Sequence, residues 1–350
     1  MGKIRTAIIG YGRSGRDIHT KTLKQIPELF EIACYVDSDT DRQEMIRREM
    51  NKPVFNDYTA LFGQSGIDLV INASFSQDHA KISKDLLKHG FDVVSEKPVA
   101  KDAAEFQTVL DTIKETGKNY FAFQQYRFSA GHKKMKEVLD SGVLGRIISV
   151  KMEFASLSRR WDWQTVHENT AGVLLNNGPH YVDMALIFMN FPQKVDVFAY
   201  MDRANYAGSG EDFVKLIMKA PGAPMAELEM SSCNAFPSQL FLVHGTNGTL
   251  KGNDSAFAWK YFRPSETKPL KLDLRPLRNE KGEPVYCSEK LVIHEENWTD
   301  DKSTDRELDY YRELHSSITR NTVFNVRNEQ VLQQMKVIGE AHTQNSALFK

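Results

Sequence analysis

Cysteine is scarce in this chain: three residues in 350, Cys34, Cys233 and Cys287. That number excludes a disulfide framework. The spacing matches no cysteine-based metal motif, so no metal ligand is named from the sequence. The scarcity suggests a reducing compartment, and a cytoplasmic location is expected. Long apolar runs are absent too. No stretch of about 18 apolar residues exists, so no membrane span and no membrane partner are expected. The first apolar stretch, Ile4 to Ile9, is too short for a secretory signal. Neither charge sign dominates: 45 Lys and Arg against 46 Asp and Glu leave −1. That balance argues against a nucleic-acid partner, which usually calls for a basic excess or stripe.

What is present is enough apolar material for a core, 41% hydrophobic and 10% aromatic residues. At roughly 150 residues per domain, the length suggests two domains. The first third alternates strand and helix. Strands are expected at Ile4–Ile9, Glu31–Val36, Leu69–Ala73, Asp92–Ser95 and Tyr120–Phe123. Helices are expected near 16–25, 41–51, 79–89 and 103–116. Near-continuous apolar strands separated by helices indicate a parallel sheet covered on both faces, an α/β arrangement.

The later pattern has period two. Ile148, Val150, Met152 and Phe154 form one set, and Val214, Leu216 and Met218 another. Ala226, Leu228 and Met230 follow, and Leu240 and Leu242 precede a turn at Thr246–Thr249 containing Asn247-Gly248. Phe257, Trp259 and Tyr261 close the series. This predicts an antiparallel sheet with one apolar face and a mixed second face, to which the last three aromatics are assigned. Residues 264–297 read as loops and edge hairpins, and helices are expected near 304–320 and 328–348.

Gly10-Tyr11-Gly12-Arg13-Ser14-Gly15 fits G-x-G-x-x-G, follows the first strand and opens a helix. In that context it predicts a dinucleotide turn in a Rossmann domain. The first glycine permits the tight turn, the second lets a pyrophosphate approach, and the third allows close helix–strand packing. The helix N-terminus supplies N–H donors to phosphate. Asp37 ends the second strand, 22 residues after Gly15, where a carboxylate accepts ribose hydroxyls and disfavours a 2′-phosphate. NAD is therefore expected over NADP.

Ligands of such sheets lie beyond the carboxyl ends of the strands. The fourth strand runs into Glu96-Lys97-Pro98, where an amine beside a nicotinamide can exchange a proton with substrate. A second candidate is the segment Gly172-Val173-Leu174-Leu175-Asn176-Asn177-Gly178-Pro179-His180-Tyr181-Val182-Asp183. His180 and Asp183 share a helical face, and an imidazole is a natural proton carrier.

Together with Ala73-Ser74-Phe75-Ser76-Gln77-Asp78-His79, Tyr126-Arg127-Phe128 and Ser141-Gly142-Val143-Leu144-Gly145, these motifs resemble the Gfo/Idh/MocA oxidoreductase family (glucose–fructose oxidoreductase, inositol dehydrogenase). The resemblance runs over nearly the whole chain. It implies a Rossmann domain at residues 1–124 and an α+β domain at 125–350 with a large open, mostly antiparallel sheet. It implies hydride transfer between nicotinamide and a hydroxyl of a sugar, sugar derivative or cyclitol, in a homodimer or homotetramer. Lys97 and His180 carry over as acid/base residues. The family's aspartate position holds Asn176, which cannot exchange a proton and is given a positioning role. Cofactor contacts are expected from Gly10, Gly12, Arg13, Ser14, Gly15, Asp37, Ser74, His79, Glu96 and Lys97. Substrate contacts are expected from Tyr126, Asn176, His180 and the loop tryptophans Trp161 and Trp163, whose rings suit a sugar face. Asp183 is expected to anchor its helix or orient His180. Two further readings stay open: redox-assisted glycoside cleavage with bound NAD, and a non-catalytic nucleotide- or sugar-sensing regulator.

Overall fold

In the computed structural model, the described residues are 2–236, 238 and 241–349. Six parallel strands form the first sheet: β1 (Ile4–Ile9), β2 (Phe30–Val36), β3 (Val54–Phe55), β4 (Leu69–Asn72), β5 (Asp92–Ser95) and β6 (Tyr120–Ala122). Their spatial order is β3-β2-β1-β4-β5-β6. The order reverses between β1 and β4, and a crevice opens there at the carboxyl ends. Strands β1, β4 and β5 are buried at almost every residue, as a sheet covered on both faces requires. β3 was not anticipated: two half-buried residues carry too little pattern to announce a strand. The helix after the glycine turn begins as a π-helical stretch, Ser14–Thr20, and ends as one α-turn, Lys21–Leu23. The helix Thr40–Met50 takes its N-cap from Asp39, whose side chain accepts from the backbone N–H of Asp41 and Arg42.

The second sheet has eight strands: β7 (Ile147–Ala155), β8 (Asp196–Asp202), β9 (Phe213–Lys219), β10 (Met225–Ser231), β11 (Phe241–Gly245), β12 (Gly248–Asn253), β13 (Ala256–Tyr261) and β14 (His294–Thr299). The order is β14-β13-β12-β11-β7-β10-β9-β8. β7 and β10 run parallel, and the other neighbours are antiparallel. Only Thr246 and Asn247 separate β11 from β12, so the hairpin lies where Asn-Gly placed it. Leu240, expected in the strand before it, lies outside the described residues.

Register corrects the two faces. Trp259 stands opposite Leu250, Leu250 opposite Val243, and Val243 opposite Val150. Phe257, Trp259 and Tyr261 therefore lie on the covered face with those residues, and all three are buried. The opposite face carries a charged lattice in which Lys151 and Lys215 both reach Glu227. Exposed Phe198 and Tyr200 stand at its β8 edge. Ile148 and Phe154 share the covered side yet stay partly exposed, because cover thins toward both ends of β7.

The C-terminal helices Arg306–Arg320 and Asn328–Gln344 return to the first sheet. Tyr310 Oη donates to Ala122 O at 3.1 Å, and Gln124 Nε2 donates to Gln334 Oε1 at 3.0 Å. Residues 268–293 form an almost wholly exposed excursion between β13 and β14, as the polar, proline-bearing stretch predicts. Among the described residues no helix is long and apolar enough to cross a membrane.

Candidate active site

The glycine turn has the spacing demands of a nucleotide cradle. Gly10 has φ +87°, and a Cβ there would sit 2.3 Å from Ala73 O. A Cβ on Gly15 would sit 1.8 Å from Gly10 O, so helix and strand close together only over glycine. Gly12 differs: the nearest atom to its Cβ position is Arg42 Nη1 at 4.0 Å. The fold leaves that space open, and a pyrophosphate can fill it. Ser14 and exposed Arg13 follow at the start of the helix. Asp37 lies beside the turn, with Oδ2 accepting from Tyr11 N at 2.7 Å and Oδ1 from Asp39 N at 2.9 Å. A carboxylate has about four lone-pair sites, so two remain for ribose hydroxyls. Arg42 Nη1 stands 3.8 Å from Asp37 Oδ2. These residues fit an adenine dinucleotide.

At the end of β5, the Lys97–Pro98 peptide is cis. Glu96 is buried; Oε2 accepts the Lys97 N–H at 3.0 Å and Oε1 lies 3.3 Å from His19 Nε2. His19 Nδ1 lies 2.7 Å from Tyr311 Oη, which ties this corner to a C-terminal helix. Burial opposes charge on Glu96, but His19, Lys97 and His79 outweigh it and hold the carboxyl at about 2. His79 is also buried, with Nδ1 2.7 Å from Pro98 O and Nε2 3.1 Å from Ser74 O. Burial keeps its pKa below the ordinary value despite those two carbonyls. Both His79 nitrogens and both Glu96 oxygens are turned to protein, so they brace the end of β5 and the loop after β4. Ser74 is half-buried and donates from Oγ to Asn72 Oδ1 at 2.7 Å.

The facing wall is the helix Val173–Phe188 of the second domain. Pro179 stands inside it, so the Leu175 carbonyl one turn back lacks its helical donor, while Gln334 Nε2 donates to Pro179 O from the C-terminal helix. Lys97 Nζ crosses from the first domain and donates to Asn176 O at 2.7 Å and to Asn176 Oδ1 at 3.2 Å. His180, one turn on, is buried, and its Nδ1 has no partner in the protein. Burial, reinforced by the Lys97 charge, pushes its pKa well below the ordinary imidazole value, so it is neutral at pH 7. Burial likewise lowers Lys97, helped by Arg13 and Arg160 and opposed by Glu96. The Tyr126 ring stacks on His180 at 4.3 Å between centroids, and the Arg306 guanidinium lies 4.3 Å from the Tyr126 centroid.

Lys97 is thus tied to Asn176, and one turn along the same helix His180 is tied to Tyr126. Asp183 is not turned to His180: its two oxygens take Arg127 Nε at 2.7 Å and Nη2 at 2.6 Å. It anchors the helix. Trp163 meets Phe75 edge-on at 5.1 Å, bridging the two domains beside the crevice. Trp161 stands 82% exposed and is not brought into this group. Sequence reasoning missed Arg306 and His19. Arg306 lies far from the motifs along the chain; His19 follows Gly15 by four residues, but its contact with Glu96 joins segments that no local spacing connects.

Two family descriptions match the chain in succession. The oxidoreductase family with an NAD-binding Rossmann fold covers residues 4–124, and the GFO/IDH/MocA C-terminal domain covers residues 132–251. The scyllo-inositol 2-dehydrogenase (NADP(+)) IolW of Bacillus subtilis is 24% identical over 97% of this chain and 92% of its own. The 2,7-anhydro-N-acetylneuraminate hydratase of Mediterraneibacter gnavus is 24% identical over 72% of this chain and 67% of its own. Among solved structures, the WlbA dehydrogenase from Bordetella pertussis, in complex with NADH and UDP-GlcNAcA, superimposes with a TM-score of 0.78. It is 18% identical, covering 98% of this chain and 96% of that one. With both domains matched in order around one crevice, the chain belongs to the Gfo/Idh/MocA family of oxidoreductases with an NAD(P)-binding Rossmann fold.

Proposed function

We propose that this protein is a dehydrogenase that moves a hydride between nicotinamide and a hydroxyl-bearing carbon of a sugar, sugar derivative or cyclitol. One observation carries the reading. The Lys97 amine, lowered in pKa, crosses between domains to Asn176, and neutral His180 follows one turn later on the same helix with Nδ1 buried and unpartnered. The nicotinamide, when bound, accepts the hydride at its C4. Lys97 and His180 share the acid/base work at the substrate oxygen, which typically contributes about 10²–10⁴-fold. Asn176 fixes the amine, and Tyr126 holds the imidazole plane. Trp163 offers a flat apolar face to a sugar ring. NAD is the favoured nucleotide, because the Asp37 carboxylate opposes a 2′-phosphate. A homodimer or homotetramer closing over the open sheet face is part of the same reading.

The test is reduction of NAD across a panel of sugars, sugar acids and inositols, with Lys97→Met beside the parent. Turnover should fall at least about a hundredfold with NAD binding retained. Unchanged turnover removes Lys97 from the chemistry.

The likeness to a protein named a hydratase supports a second reading, a net redox-neutral reaction with tightly held nucleotide. Substrate conversion without net NADH would select it. A nucleotide-binding protein with no conversion of any substrate would select a sensing role instead.

A further inference from the structure

A second polar cluster lies at the N-terminus of the site helix, where three separate segments meet. His167 belongs to a short turn, His167–Asn169, four residues after Trp163. Glu211 precedes β9, and His342 lies near the end of the helix Asn328–Gln344. Each offers one ligand atom, and the three atoms lie within 4.8 Å of one another.

Glu211 is 0% exposed. Its Oε1 accepts the Leu174 N–H at 2.8 Å, and its backbone O accepts the Val173 N–H at 2.8 Å, so it closes the N-terminus of the site helix. Its Oε2 has no hydrogen-bond partner. Gly172 makes room for this oxygen: a Cβ there would meet Oε2 at 2.4 Å. His167 Nδ1 and His342 Nε2 are likewise buried and unpartnered. His342 Nε2 stands 3.9 Å from Glu211 Oε2, too far for a hydrogen bond. Three buried polar atoms converging without partners would each cost free energy.

We propose that His167, Glu211 and His342 form a divalent transition-metal site of the His₂-carboxylate type that zinc occupies. One ion satisfies all three atoms at once. Tetrahedral zinc, with bonds of about 2.0–2.2 Å, places its ligands roughly 3.3 Å apart. The ligand atoms, now within 4.8 Å of one another, need close by up to about 1.5 Å to reach that geometry. Soft rotation of two imidazoles supplies such a movement, and water completes the coordination. Two protonated imidazoles facing a single carboxylate oxygen would repel each other, whereas neutral imidazoles suit a metal. The Phe349 ring stacks on His167 at 4.0 Å and fixes its plane. Ser209 receives the His167 N–H at 2.9 Å and donates to Glu168, which fixes the turn beneath it. The role follows from the attachments. The ion would clasp the C-terminal helix and the tryptophan-bearing loop to the N-terminus of the helix carrying Asn176 and His180. Nothing in local sequence spacing reveals it, since 44 and 131 residues separate the three ligands.

The test uses the full chain stripped by a chelator and titrated with Zn²⁺ alone. Calorimetry and elemental analysis should give about one ion per chain, with a rise in melting temperature. His167→Asn and His342→Asn should each lose stoichiometric binding and that rise. Cobalt(II) in the parent protein should give visible d–d bands without a thiolate charge-transfer band, which excludes Cys34, Cys233 and Cys287 as ligands. Zinc binding at background level only, binding unchanged in both histidine variants, or a thiolate band would each overturn the site. If Glu211→Gln fails to fold, the parent stoichiometry and cobalt spectrum still decide.

Discussion

The Lys97 ammonium donates to both oxygens that Asn176 presents, the backbone O at 2.7 Å and the side-chain Oδ1 at 3.2 Å. Two of its three N–H donors are thereby fixed by a residue of the other domain, which leaves one for substrate. Crevice closure and amine orientation are the same contact.

Replacing Asn176 by Asp tests that contact. Burial and the charges of Arg13 and Arg160 lower the Lys97 pKa, while Glu96 opposes them. A second carboxylate beside the amine favours its charged form and raises its pKa. If neutral Lys97 receives the hydroxyl proton, the rising limb of kcat/KM against pH moves to higher pH in Asn176→Asp. Oxidation at pH 7 slows. A limb that stays in place shows that Lys97 is not the titrating group.

Gly12 and Gly15 should fail differently. At Gly15 a methyl group meets the Gly10 carbonyl at 1.8 Å, so Gly15→Ala disrupts the turn and lowers the melting temperature. At Gly12 the nearest atom is 4.0 Å away, so Gly12→Ala folds normally. Its methyl group instead occupies the space over the turn and weakens NAD binding by about tenfold or more. Thermal melts and a fluorescence titration with NADH separate the two outcomes.

Much of this was legible in the sequence because its signals are local. A glycine turn after an apolar strand, Glu96-Lys97-Pro98, and the block ending in His180 are each contiguous, and each lies where expected. The hidden parts depend on distant chain. Period two showed that Phe257, Trp259 and Tyr261 share one face of β13 but not which face, since register across four strands decides it. His79 and Glu96 carried the right motif, yet only their carbonyl and imidazole neighbours show that they brace the site. Arg306 reaches Tyr126 from 180 residues away, beyond any spacing rule.

The Arg127–Asp183 pair offers a stability prediction. Its side chains are 3% and 2% exposed, and Arg127 Nη1 also binds Asn325 O at 2.8 Å and Gln330 Oε1 at 2.7 Å. Removing one partner strands a buried charge, so Arg127→Met or Asp183→Asn should each cost about 3–5 kcal/mol. The double change should cost clearly less than the sum, because no lone charge then stays buried. Denaturant melts of the four proteins give the coupling. Additive losses would show that the two side chains do not act as a pair.

His132 sets an acid limit on the fold. It is buried with Nδ1 unpartnered, and burial pushes its pKa down from 6.5 to about 4, with Asp183 favouring its charge and Arg127 and Lys136 opposing it. The unfolded chain binds this proton below about pH 6.5, and the native chain binds it only near 4. Stability is therefore whole above pH 6.5 and is lost as pH falls from there through 4. At about 1.4 kcal/mol per pH unit, the gap amounts to about 3 kcal/mol. Buried His79 and His180 act in the same direction, so the parent protein should lose more than His132 alone accounts for. His132→Leu removes one of these protonations and leaves no polar atom wanting a partner. Its unfolding free energy, measured by urea melts at several pH values, should fall less steeply between pH 6.5 and 4 than that of the parent. Parallel curves for the two proteins would show that His132 takes up its proton without unfolding the chain.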